Sequence, residues 1–189
     1  MVKRIAVYCG ARNGNKEQYK EEAYALGKWL ALHQIELVYG GGKYGLMGAV
    51  AKGALENGGM VHGVITELLE SRGTAFEQVQ DLIVVPDMDR RKEVMMELAD
   101  GMVALPGGVG TLEEISQAAS WITIGENAKP VVFYNQDDFY TDLQKLFSHM
   151  NQEGFLEGPY LSSLHFSKSF EDMLAFMNDY QAPDHRTYE

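Results

Sequence analysis

Short apolar runs rich in β-branched and aromatic residues alternate with longer stretches in which apolar residues return every three or four positions. The first kind of run is the pattern of a buried strand, the second that of a helix with one apolar face. Strands are expected over Arg4–Cys9, Ile35–Tyr39, Met60–Ile65, Leu82–Val85, Met102–Leu105 and Pro130–Tyr134. Helices are expected at about Lys16–His33, Leu46–Asn57, Arg90–Ala99, Leu112–Gly125, Phe139–Asn151 and Phe170–Tyr180. Regular β–α alternation with short connections implies a parallel sheet joined by right-handed crossovers, with helices on both faces. The expected fold class is α/β, a doubly wound Rossmann-like sheet. No repeat, low-complexity tract or Pro/Ser linker divides the chain, so 1–189 reads as one Rossmann-like domain with a loose tail from Pro183.

In such a sheet, ligands bind outside the carboxyl ends of the strands, where the strand order reverses. Three of the turns that follow strands are rich in glycine: Cys9–Gly14, Gly40–Gly45 and Pro106–Thr111. One such turn is ordinary, because glycine relieves tight βα connections everywhere. Three on one edge point to a crevice lined by bare backbone. Gly40, Gly42 and Gly45 match G-x-G-x-x-G, with Glu67 about where a ribose-binding carboxylate stands in dinucleotide-binding proteins. A nicotinamide-dependent oxidoreductase is therefore a competing reading, although the match falls in the second βα unit. It is not a P-loop, since Lys43 is followed by Tyr44. The content shared by all three turns is narrower: backbone N–H groups at helix N-termini, which hold phosphates.

Two segments add side-chain chemistry. Thr111 and Glu114 fit a capping box, yet Glu114 also stands beside the glycine-rich turn that ends at Gly110. Glu113 and Glu114 lie about 100° apart on a helix, so both cannot face one crevice. Arg90, Arg91 and Lys92 crowd the start of a helix, where the macrodipole disfavours cations. An anionic ligand would relieve that conflict, and so would Asp87, Asp89 and Glu93 in a solvated turn.

Composition narrows the classes. The 46% hydrophobic and 23% charged content is that of a globular chain rather than a disordered one. A formal charge of −11 repels a polyanion, which argues against nucleic-acid binding. A single cysteine, Cys9, rules out an intrachain disulfide and multi-cysteine metal sites. The five histidines show no ligand spacing, so no metal is expected. No signal-peptide pattern and no apolar run near roughly 18 residues is found, so the expectation is a cytoplasmic protein off the membrane. Met95, Met96 and Trp121 read as core or interface residues.

The motifs together are specific. Pro106–Glu114 reads P-G-G-x-G-T-x-x-E, Met88–Lys92 reads M-x-x-R-K, and Tyr39–Gly48 reads Y-G-G-G-x-x-G-L-M-G. In this order they resemble the Lonely Guy (LOG) family of cytokinin-activating phosphoribohydrolases, often labelled "possible lysine decarboxylase". The resemblance runs from Lys3 to about Tyr180. It implies a cofactor-free homodimer that cleaves the N-glycosidic bond of N6-substituted adenosine 5′-monophosphates, giving free base and ribose 5-phosphate. Carried over by motif, Arg91 and Glu114 are the catalytic pair. The substrate-binding candidates are Gly10, Gly41, Gly42, Lys92, Gly108, Val109, Gly110, Thr111, Glu113 and Ser120. Ala11-Arg12 stands where many relatives carry a serine, which alters a phosphate contact. The acidic contact after the third strand falls among Glu67, Glu70 and Glu77. No lysine has the context of a pyridoxal-phosphate site. A non-catalytic nucleotide-binding module is the remaining alternative.

Overall fold

Among residues 1–187, which the computed structural model describes, seven strands make one parallel sheet. They are β1 (Arg4–Tyr8), β2 (Glu36–Tyr39), β3 (Val61–Thr66), β4 (Asp81–Val85), β5 (Gly101–Ala104), β6 (Val131–Tyr134) and β7 (Leu164–Ser167). Between and after them run α1 (Glu17–Leu32), α2 (Gly45–Glu56), α3 (Glu67–Ser71), α4 (Met88–Leu98), α5 (Val109–Ile124), α6 (Thr141–Gln152), α7 (Gly158–Ser162) and α8 (Phe170–Asp179). The strand order is β4-β3-β2-β1-β5-β6-β7. The chain steps outward from β1 to β4, then returns to place β5 against the other side of β1. The switch point therefore lies between β1 and β5, and the loops that follow them diverge there. The doubly wound fold is as the alternating pattern implied.

Strand alternation divides the interior into two layers. Ile5 and Val7 of β1 face a cluster containing Leu26 and Leu30 of α1, Val50 of α2 and Met173 of α8. Ala6 and Tyr8 face Met95 of α4, Ile115 of α5 and Tyr160 of α7. Each fully buried large side chain contributes about 1.5–3 kcal/mol by leaving water. Met95 and Met96 thus belong to the monomer core, and Trp121 packs against the same cluster half-buried.

The helices α1 and α2 touch almost backbone to backbone. A Cβ on Gly27 would stand 2.0 Å from the Val50 carbonyl oxygen, and one on Gly53 would stand 2.1 Å from that of Tyr24. This close approach sets α2, and with it the Gly40–Gly45 turn, against the sheet.

Five features depart from the sequence expectation. The edge strand β7 and the short helices α3 and α7 were not anticipated. The helix α5 begins at Val109 with Gly108 as its N-cap, three residues before the expected start. The tail is irregular but docked as far as Arg186, not loose. The Arg186 N–H donates to the Thr123 carbonyl at 3.0 Å. Its guanidinium pairs with Glu157 at 2.9 Å, and the Tyr160 hydroxyl donates to the Asp184 carbonyl. No helix of the described residues is long and apolar enough to cross a membrane.

Candidate active site

The three glycine-rich turns meet at the switch point. The Gly10 N–H donates to the Pro106 carbonyl at 3.1 Å, and the Leu46 N–H donates to the Gly10 carbonyl at 2.9 Å. The turn after β1 is therefore clamped between the other two. Together they line a cavity of about 580 Å³. Its walls are mostly apolar: Leu46, Met47, Ile65, Leu69 and Met88, with Tyr19 and Phe139 stacked edge to face at 5.9 Å.

One buried ion pair lies in this cavity. Arg91 and Glu114 are 5% and 9% exposed. Arg91 Nη1 donates to Glu114 Oε1 at 2.8 Å, Nε to the Val64 carbonyl at 2.9 Å, and Nη2 to the Gly40 carbonyl at 3.1 Å. The guanidinium therefore ties the ends of β2 and β3 to α5, and it aims one carboxylate. Gly40 is required where it is, since a Cβ there would sit 1.8 Å from Arg91 Nη2. Burial pushes the Glu114 carboxyl above the usual carboxylate range, and the Arg91 charge pulls the other way without cancelling it. A carboxyl held above its usual range accepts a proton more readily than a surface glutamate. Burial also pushes the Cys9 thiol up, so it is no thiolate nucleophile.

The capping box is not formed. Thr111 is the third residue of α5 rather than its N-cap, and Glu114 reaches Arg91 instead of its own helix end. The N-cap, Gly108, has no side chain to offer. The N–H groups of Val109, Gly110 and Thr111 accordingly make no hydrogen bond among the described residues. A Cβ on Gly108 or Gly110 would meet nothing within 4 Å. Three donors and the positive end of a 16-residue helix are thus bare at the cavity wall.

Of the residues singled out in the sequence, Arg91, Glu114, Gly10, Gly42, Gly108, Val109, Gly110 and Thr111 line the cavity. Gly41, Lys92, Glu113 and Ser120 do not. Lys92 and Glu113 form a second rung beside Arg91–Glu114: the Lys92 ammonium lies on the Glu113 carboxylate and 3.3 Å from Asp89. The crowd of cations at the start of α4 is mostly resolved inside the chain, with Arg90 on Glu93 and Glu97 at 3.1 Å. Ser120 is exposed, and its position six residues beyond Glu114 turns it about 240° around α5. Gly41, at φ +70°, lies against Ile65 and Leu82, and its carbonyl accepts from the Phe76 N–H. None of Glu67, Glu70 and Glu77 lines the cavity; Glu77 borders an adjoining groove with Lys20, Lys43 and Lys52. The apolar lining Ile65, Leu69 and Met88 was missed. Its one sequence signal was position, at the carboxyl end of β3 and just after β3 and β4. No group of three or more His, Cys, Asp or Glu that could hold a metal is found among the described residues.

A family model described as "Possible lysine decarboxylase" matches residues 47–177. The chain is 38% identical over 174 residues to a cytokinin riboside 5′-monophosphate phosphoribohydrolase of Rhodococcoides fascians, covering 92% of this chain and 88% of that one. It belongs to the LOG family. A plant member, from Arabidopsis thaliana and of the same description, is 37% identical over 178 residues, 94% of this chain and 84% of its own. The fold recurs in the molybdenum cofactor binding protein of Rippkaea orientalis, at a TM-score of 0.72 and 22% identity over 94% of this chain and 96% of that one. That likeness concerns the LOG fold alone. The family resemblance read from the three motifs is thus confirmed over most of the chain.

Proposed function

We propose that the chain hydrolyses the N-glycosidic bond of N6-substituted adenosine 5′-monophosphates, releasing an adenine-type base and ribose 5-phosphate. The observation that carries this reading is one buried, aimed carboxylate a short way along α5 from its bare N-terminus. Glu114 lies four residues beyond Gly110, about 6 Å of helix rise. A ribose spans that gap, with its 5′-phosphate on the N–H groups of Val109–Thr111 and its C1′ at Glu114. Departure of the base leaves positive charge on C1′ and the ring oxygen. The Glu114 carboxylate stabilises that charge and takes a proton from the water that attacks C1′, while the base, leaving with the bonding electron pair, takes up a proton from solvent. Arg91 keeps the carboxylate in place. Phosphate binding, remote from the broken bond, supplies orientation.

The relatives' names favour this substrate class, and the apolar wall of Ile65, Leu69 and Met88 suits an N6 substituent. Among the described residues no lysine lines the cavity, so a pyridoxal-phosphate decarboxylase would find no residue to hold its cofactor covalently. The oxidoreductase reading fares no better. The Leu46 and Met47 N–H groups that a G-x-G-x-x-G turn would give a pyrophosphate both point to the Gly10 carbonyl, at 2.9 and 3.4 Å. A cytoplasmic setting, where nucleotides are made, belongs to this reading.

The test is incubation with N6-isopentenyl-AMP, AMP and NAD. Free base should appear from the monophosphates and not from NAD. The isopentenyl substrate should show kcat/KM about tenfold higher or more, the scale of burying two methylenes at about 0.8 kcal/mol each. Turnover of NAD alone would return the oxidoreductase reading.

The homodimer is part of the same proposal. Met88, Leu112 and Ile124 on α4 and α5 are exposed apolar side chains that an interface would cover. Light scattering should give about twice the 21.1 kDa chain mass. A monomer that persists at every concentration would refute it.

A further inference from the structure

Among the described residues, charge around the cavity leaves one cation without a partner. A phosphate monoester carries about −1.5 to −2 charges at pH 7. It would enter a protein of net charge −11, beside Glu114. Backbone N–H groups supply dipoles but no full countercharge. Arg91 is spent on Glu114, Val64 and Gly40. Lys92 is held by Glu113 and Asp89 outside the cavity, and Lys16 by Asp137. Lys43 lies over the Tyr44 ring at 5.4 Å and borders the adjoining groove instead. Arg12 remains. It lines the cavity, it is exposed, and its guanidinium has no hydrogen bond, ion pair or ring contact among the described residues.

Its backbone is better fixed than its exposure suggests. Gly10, two residues earlier, is hydrogen-bonded to Pro106 and to Leu46. Gly45 presses on the Ala11–Arg12 peptide so closely that a Cβ there would stand 2.4 Å from the Arg12 nitrogen. A rigid turn thus carries a free, planar double donor on the cavity that the bare N-terminus of α5 also lines, and such a pairing binds phosphate with charge-assisted hydrogen bonds.

We propose that Arg12 is the residue that neutralises the substrate's 5′-phosphate, closing on it from the first turn while Val109–Thr111 hold it from α5. This rests on the phosphoribohydrolase reading and adds the residue that selects a nucleotide over a nucleoside. The test is calorimetric titration of ribose 5-phosphate and of adenosine into the wild type, Arg12→Gln and Arg12→Lys. Arg12→Gln should weaken ribose 5-phosphate about tenfold or more, the scale of one lost charge-assisted pair, with adenosine affinity unchanged. Arg12→Lys, which keeps the charge, should recover most of the loss. Unchanged ribose 5-phosphate affinity in Arg12→Gln overturns the proposal. So does equal weakening of adenosine, the mark of a merely structural role, or failure of the wild type to bind ribose 5-phosphate at all. The two readings fail separately. Arg12-dependent binding of AMP without release of base would remove the hydrolase and keep the phosphate ligand; base release with the wild-type KM in Arg12→Gln would do the reverse.

Discussion

Glu114→Gln should release base from the nucleotide at least about 10²-fold more slowly than the wild type, the usual scale for a lost acid–base group. The amide keeps the size of the side chain and an oxygen that accepts from Arg91 Nη1, but it neither carries charge nor takes a proton. The variant keeps the hydrogen bond from Arg91 but leaves that buried guanidinium without its countercharge, so some stability should be lost, less than in a variant that also breaks the hydrogen bonds. The protein should still fold and keep its affinity for AMP near wild type while turnover collapses, so the loss of activity exceeds anything the fall in melting temperature explains. Glu113→Gln is the control. Glu113 points about 100° away, outside the cavity, onto Lys92. Its loss should leave turnover within a few-fold. Equal turnover in the two variants would return Glu114 to a structural role.

Arg91→Ala should cost both activity and stability. It strands a buried carboxylate and leaves the Val64 and Gly40 carbonyls unpaired, a change on the scale of about 3–5 kcal/mol. In a chain of this size that lowers the melting temperature by roughly 10 °C. Arg91→Lys tests the catalytic part without unfolding the site. A lysine keeps the charge but cannot reach three acceptors in fixed directions, so Glu114 loses its aim and kcat falls. The sign of the pH effect follows from the cause of the shift. Arg91, ahead of Lys92, is the main influence that lowers the Glu114 pKa against burial. A less well placed cation lets that pKa rise further, and a carboxylate that must be ionised then works only at higher pH. The acid limb of kcat/KM should move upward in Arg91→Lys. An unmoved acid limb with full activity would mean that Arg91 only ties the strands together.

The sheet was legible because each of the first six strands is a short apolar run between helix-length amphipathic stretches. The last strand was not. Leu164-His165-Phe166-Ser167 is four alternating residues at the sheet edge, half-exposed and indistinct from a loop in one dimension. The site was legible as motifs but not as directions. Arg91–Glu114 and Lys92–Glu113 are adjacent in sequence and share the same chemistry, and only the phase of α4 and α5 decides which pair faces the cavity. Thr111-x-x-Glu114 resembled a cap because glycine at Gly108 hides the true start of the helix. Ser120 has the right element and the wrong side of it. The docking of the tail depends on Thr123 and Glu157, contacts that no local pattern encodes.

On the proposed reading, this cavity cleaves C1′–N9 with Glu114. The most direct measurement is simultaneous quantitation of free base, ribose 5-phosphate, nucleoside and inorganic phosphate after N6-isopentenyl-AMP meets the wild type and Glu114→Gln. Base and ribose 5-phosphate should appear in equal amounts with the wild type, and at least about 10²-fold more slowly with the variant. Nucleoside with inorganic phosphate, or base release at the same rate from both proteins, would contradict it.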